Sequence, residues 1–351
     1  VYRDFLMADI PNRINAARAE AASLEAELKE CISACRDKTL KDVASGVDPM
    51  IAPRIQCRRT LRGHMGKIYS MHWTEARNDL VSAAQDGVLI VWDGVSTNKI
   101  HAIPLACAWV MTCCFAPSGD FIASGGLDNS CSVFNLSNPE TDNGTPCTQL
   151  DGHNGHLSSC RFVGNEQILT TSGDKTCMLW DIESGKNISK FTDHSGDVLA
   201  VSLSPDKNLF VSGSVDQSSR LFDLRTKDIA QMRFVDHTGD VNAVQFFPSG
   251  QAFATGSEDN SAKLYDIRFA GALNSYDGEC GVTSVAFSGS GKYFFSAYSM
   301  GSTIKVWDTL RGNNVTELKG HKERVSSIGI SGDGLALGTA CWDKSLKIYA
   351  Q

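Results

Sequence analysis

Val88-Leu89-Ile90-Val91-Trp92-Asp93 is a short run rich in β-branched residues that ends on an aromatic side chain and an acid. The same kind of ending returns at Phe134, Trp180, Phe222, Tyr265, Trp307 and Tyr349, with spacings of 42, 46, 42, 43, 42 and 42 positions. Six of the seven aromatics are followed by Asp or Asn: Asp93, Asn135, Asp181, Asp223, Asp266 and Asp308. A repeat of this length is one supersecondary unit that cannot bury its faces alone, so neighbours must stack. The expected fold is all-β, a seven-bladed β-propeller with one four-stranded blade per repeat.

The repeat overrides the ordinary reading of 351 residues as two or three domains. A formal net charge of -7 with no basic block argues against nucleic acid as a partner. Twelve cysteines fall mostly on strand positions such as Cys113, Cys114, Cys131, Cys160 and Cys177, and none form a CxxC pair. They read as buried free thiols of a reducing, intracellular compartment. No apolar run approaches the roughly 18 residues of a membrane span. Neither a myristoylation signal nor a prenylation box is present, so the chain is expected to have no anchor of its own.

Residues 12–36 are rich in Ala and Glu, with an apolar seam at Ile14, Ala17, Ala21, Leu24, Leu28, Cys31 and Cys35. Alternating steps of three and four over three heptads mark a coiled-coil strand. Pro11 suits its first turn. The seam's border, Glu20, Arg18, Glu27 and Glu25, is mostly acidic, which favours a partner helix with basic flanks. The alternative is a helix lying on its own propeller. The expected organisation is therefore an N-terminal helix over 1–37, a linker over 38–56 broken by Gly46, Pro49 and Pro53, and a propeller over 57–351. The chain stops two residues past Tyr349 with the last blade one strand short, so residues 57–61 are expected to supply that strand and cover its open edge.

Within the repeats, a His opens five blades: His64, His153, His194, His237 and His321. An apolar strand starts four residues later, and a turn then carries Asp86, Asp174, Asp216, Asp259 or Asp343. The His-to-Asp distance is 22 positions in four blades and 21 in the third. His and Asp invite a metal or catalytic reading, but five copies spread around a ring do not converge on one centre. In the WD-repeat family, whose Trp-Asp ending these blades share, the pair bonds across the blade with a strand-two hydroxyl. Ser82, Ser212, Thr255 and Thr339 stand where it is needed. The second blade lacks the His but keeps Asp128; the sixth has neither, reading Ser299-Met300-Gly301 at its turn. No catalytic residue, metal or cofactor is expected.

The His loop and the Asp turn should share one face, at the mouth of the channel. After the His stand Met65, Asn154, Ser195, Thr238 and Lys322, so Met65 is the apolar exception. Before the Asp stand Gln85, Leu127, Gly173, Val215, Glu258 and Trp342, where Leu127 and Trp342 have no evident core to enter. Trp109, Met111 and Tyr69 join them, within a rim of Lys67, Lys99, Asp197, Asp240, Glu258 and Arg324. An aromatic and Met centre inside a charged rim describes a protein-binding hot spot. The competing reading is that Trp109 and Trp342 plug the channel mouth.

The runs LRGHMGKIYSMHW at 61–73, TNKIHAIPL at 97–105, WVMTC at 109–113 and GGLDN at 125–129 resemble the β subunits of heterotrimeric G proteins. The likeness extends from the helix to the end of the chain. It implies an obligate γ subunit paired along Ile14 to Leu28, with Ala17, Ala21 and Leu24 between. It also implies a face that binds a GDP-loaded α subunit through Lys67, Tyr69, Lys99, Trp109, Met111, Leu127, Asn129, Asp197, Asp240, Asn242, Arg324 and Trp342. Released from α, the same face would engage effectors; activated receptor would be met through the heterotrimer. The location implied is cytoplasmic, on the inner face of the plasma membrane, held by lipids on the partners. Val88, Ala108, Met65, His156 and Leu199 depart from the usual Lys, Ser, Leu, Tyr and Met, which bears on affinity and partner choice. The rival function is a WD-repeat adaptor in ubiquitin transfer, chromatin or trafficking. A propeller enzyme would need converging carboxylates or a metal cluster.

Overall fold

The computed structural model describes residues 14, 17–20, 23–24, 27, 40–48 and 50–351 apart from 227, 228 and 270. It divides into two compact units, residues 1–48 and 49–351. In the first, the described positions between Ile14 and Glu27 are helical, and Ile14 and Leu24 are 46% and 57% exposed. Ala17 is exposed as well. Ala21, Leu28, Cys31 and Cys35 lie outside the described residues. The stretch read as a linker carries a helical turn at Leu40–Val43 and a 3-10 turn at Ala44–Gly46.

The second unit holds seven four-stranded antiparallel sheets. Blade one shows the pattern, with strands Ile68–Trp73, Asp79–Ala84, Val88–Asp93 and Lys99–Pro104. Its second strand is almost wholly buried because both faces of the sheet meet neighbouring blades, while its outermost strand is largely exposed. Hence the second strand of each blade is built largely of apolar and small residues rather than as an alternation of apolar and charged ones. The core lies between blades. Val81, Leu89 and Val91 of the first, for instance, pack with Val110, Phe115 and Phe134 of the second.

Blade seven is completed by Gln56–Arg62, which pairs antiparallel with Ser345–Ala350. Leu61, Leu346 and Ile348 then share a buried cluster with Ile68, Trp73 and Trp92 of blade one. Across the same junction Trp73 Nε1 donates to the Gly329 carbonyl at 3.1 Å.

One irregularity recurs in all seven blades. The inner strand slips register against the second by one residue, immediately after its first residue. The bulged residues are Tyr69, Met111, Ser158, Leu199, Asn242, Thr283 and Ser326. A bulge re-aims a side chain. In four blades the bulged residue reaches the next blade: Ser158, Asn242, Thr283 and Ser326 donate to the carbonyls of Val198, Val282, Val325 and Ile68.

Candidate protein-docking face

Five of the blades are braced by a polar His–Asp relay. In the first, Trp92 Nε1 donates to Ser82 Oγ (2.8 Å), Ser82 lies 2.8 Å from His64 Nε2, and His64 Nδ1 lies 3.1 Å from the Asp86 carboxylate. A neutral imidazole satisfies the chain, accepting from the hydroxyl and donating to the acid. Asp86 also accepts the Met65 and Val88 backbone N–H groups, so it fixes the loop and the turn together. Burial favours the protonated carboxyl, but the bonds from His64, Met65 and Val88 together outweigh it and hold Asp86 at about 2.

The same relay joins His153 to Asp174 (2.9 Å), His194 to Asp216 (2.9 Å), His237 to Asp259 (2.7 Å) and His321 to Asp343 (3.0 Å). Ser212, Thr255 and Thr339 supply the hydroxyl in blades four, five and seven. In blade three it is Thr170, 2.8 Å from His153 Nε2 and 17 residues after it, where the other four relays have 18. Of the five His–Asp relays, those of blades one and three are closed by an indole N–H.

The sixth blade builds a substitute. Gly278 stands four residues before Val282, where five of the other blades place His, and the ring of Tyr298 lies over it. Ser296 bonds to the Tyr298 hydroxyl at 2.9 Å and accepts the Trp307 indole N–H at 2.8 Å.

Among the described residues His321, Cys341 and Asp343 bring three metal-ligating atom types within 4.8 Å. The imidazole and carboxylate are already committed to each other. Burial pushes the Cys341 thiol up to about 12, and it donates to the Glu323 carbonyl. The group is a relay with a thiol beside it.

On the face that carries these loops, Tyr69 stacks on Trp109 at 6.2 Å and meets Trp342 edge-on at 6.2 Å. Lys67 Nζ lies 4.0 Å from the Trp342 ring centroid and the Arg324 guanidinium 5.0 Å. Two cations on one indole hold the ring in place and keep it partly open to solvent. Its Nε1 is buried and finds no partner among the described residues. Met65 is 82% exposed, Leu127 51% and Trp109 45%.

Trp109 has φ of +66°, a left-handed conformation that costs a bulky residue free energy. Gly126 makes room for it, since a Cβ there would collide with the Trp109 carbonyl. Tyr69 and Met111 occupy the bulge positions that elsewhere make inter-blade hydrogen bonds, and so give up that tie to present large side chains.

The rim is polarised. Lys67, Lys99 and Arg324 belong to blades one and seven, which are neighbours, whereas Asp197, Asp240 and Glu258 belong to blades four and five. Lys99 also reaches the Gly63 carbonyl (3.5 Å) and the Trp92 ring. Two members of the set have structural work that accounts for their type. Asn242 Nδ2 bonds to Glu258 (2.9 Å) and to the Val282 carbonyl (3.1 Å). Asn129 sits at φ of +61° in the turn after Asp128, a conformation Asn tolerates.

Seven blades, relays and Trp-Asp endings define a WD-repeat propeller. A family model described as "G protein beta WD-40 repeat protein" matches residues 12–350. The chain is 50% identical over 350 residues to "Guanine nucleotide-binding protein subunit beta" of Dictyostelium discoideum, covering 98% of this chain and 100% of that one. It is also 50% identical over 341 residues to "Guanine nucleotide-binding protein G(I)/G(S)/G(T) subunit beta-1" of Homarus americanus, with 96% and 99% covered. The chain belongs to the G protein β subunit family, a family of signal-transduction proteins. Among the described residues no helix is long and apolar enough to cross a membrane.

Proposed function

We propose that this chain is a non-enzymatic signalling subunit whose channel-mouth face binds a GDP-loaded G protein α subunit. The observation that carries the reading is the Trp109–Tyr69–Trp342 cluster, clamped by Lys67 and Arg324 and flanked by open Met65 and Leu127. Such a preformed aromatic centre loses little side-chain freedom on binding, which is what makes a hot spot strong. Lys99, Met111, Asn129, Asp197, Asp240 and Asn242 complete the contact set. An α subunit's switch segments differ between nucleotide states, and a face that prefers the GDP shape releases α by that difference in affinity. Release uncovers the same cluster for effectors, so the two partners exclude each other. Activated receptor acts through the assembled heterotrimer.

The exposed seam at Ile14, Ala17 and Leu24, continued in sequence by Ala21 and Leu28, is the pairing surface for a γ subunit. Membrane attachment on the cytoplasmic side comes from lipids on γ and α together, because one lipid chain binds only marginally. The decisive experiment is capture of the chain on α loaded with GDP or with a non-hydrolysable GTP analogue. Preferential capture by the GDP form is expected; equal capture in both states, or none, overturns the proposal.

A further inference from the structure

The second blade lacks the imidazole of its relay, and the space that ring fills elsewhere is a cavity. Ala106, Ser124, Asp128 and Phe134 stand at the positions of His64, Ser82, Asp86 and Trp92, each exactly one 42-residue repeat later. All four line one cavity of 100 Å³. Loss of the imidazole and replacement of the indole by a smaller ring both enlarge it. At roughly 30 Å³ per water, this is the room of about three waters, ample for a five-membered ring.

The walls keep the hydroxyl and the acid of the complete relays, with Ala106 and Asp128 exposed where His64 is buried and Asp86 half-buried. In blade one the two ring nitrogens lie 2.8 Å from Ser82 Oγ and 3.1 Å from the Asp86 carboxylate, a pair of contacts that a neutral ring satisfies by accepting from the hydroxyl and donating to the acid. Ser124 is buried and faces this cavity, with neither a histidine at position 106 nor an indole at position 134 to meet it. A buried hydroxyl gains from any acceptor placed in reach. Asp128, an exposed acid, also lines the cavity. Beside it the Cys107 thiol donates to the Ala108 carbonyl at 2.8 Å, and burial and Asp128 push its pKa up, so it adds no competing charge.

We propose that this cavity binds a small neutral imidazole-class heterocycle, edge-on, with its unprotonated nitrogen accepting from Ser124 and its N–H donating to Asp128. One carbon separates those two nitrogens, as in the histidine ring that performs this task in five sister blades. A ring with only an acceptor or only a donor satisfies one wall and leaves the other unpaired.

The test uses the full-length protein purified without a polyhistidine tag and imidazole itself as the probe. Ligand-observed NMR and thermal unfolding should give saturable millimolar binding and a raised Tm, with N-methylimidazole weaker because it has no N–H to donate. Ser124→Ala should lose about tenfold in affinity while keeping the wild-type circular dichroism, the effect of one hydrogen bond. Ala106→His, which supplies the ring covalently, should raise Tm and abolish the response to imidazole. No saturable binding to the wild type, or unchanged binding in Ser124→Ala, overturns the site. Should Ala106→His fail to fold, the Ser124→Ala comparison decides alone.

Discussion

In the sixth blade Tyr298 lies across Gly278: a Cβ added to that glycine would fall 2.9 Å from Tyr298 Cζ and closer still to Cε1. The pair stands in for a histidine, with the phenol oxygen accepting from Ser296 at 2.9 Å. Gly278→Ala should therefore destabilise the propeller by about 1–3 kcal/mol through overpacking. Tyr298→Ser should suppress that penalty, because the ring that clashes is gone. Denaturant melts of the two single variants and the double variant measure the coupling; strict additivity would falsify the claim that one residue makes room for the other.

Trp342→Ala should weaken binding of GDP-loaded α by about 2 kcal/mol or more, roughly thirtyfold, the scale of a central aromatic anchor. Lys67→Ala should also weaken it, since Lys67 holds the ring 4.0 Å away and lends charge to the basic side of the rim. Neither side chain supports the core, so both variants should keep the wild-type melting temperature. Unchanged affinity in both, measured by titration, removes this face from the α interaction.

Ile14→Glu with Leu24→Glu places two charges on the exposed seam of the N-terminal helix. Coiled-coil pairing needs apolar side chains along that seam, so the doubly substituted chain should fail to copurify with a coexpressed γ subunit. Glu20→Gln, off the seam, should copurify normally. Recovery of the γ complex with the doubly substituted chain contradicts the assignment of the helix.

Acid should destabilise the ring in two stages. Burial, helped by Arg161, pushes His72 down to about 3, and its Nδ1 accepts the Phe115 N–H at 3.2 Å. An unfolded imidazole protonates near 6.5, so the unfolded state takes up the proton first, and stability falls as pH drops from about 6.5 towards 3. Burial pushes His237 down as well. The carboxyls add a second stage. Despite the opposing effect of burial, Asp86 and Asp259 are held at about 2 against 3.8 when unfolded, chiefly by His64 in the first case and by Ser261 and His237 in the second. Their contribution is complete above about pH 4 and is lost as pH falls towards 2. Denaturant midpoints across this range should decline below pH 6.5 and more steeply below 4; a midpoint unchanged between pH 7 and 4.5 refutes the first stage.

The repeat, the five His–Asp pairs and the apolar exceptions at Met65, Leu127 and Trp342 were all legible in the amino-acid sequence, because each sits at a fixed offset from an aromatic landmark. Thr170 keeps the common offset of ten residues before its aromatic, Trp180, but lies 17 rather than 18 residues after its His, so it is found only when the count starts from the aromatic. Tyr298 matches no position of the pattern, because it is a phenol standing in for an imidazole.

What the sequence determined by itself was periodicity: the number of blades, the apolar middle strands that must be buried on both faces, and the loops that recur on one side. Only the tertiary structure decided which side chains meet across blades. A bulge after the first residue of every inner strand aims Ser326 at a neighbouring carbonyl but turns Tyr69 onto the docking face. The cations of Lys67 and Arg324 close on one indole although 257 positions separate them. Such meetings depend on how rigid sheets pack around a closed ring, and distances through space are not written in distances along the chain.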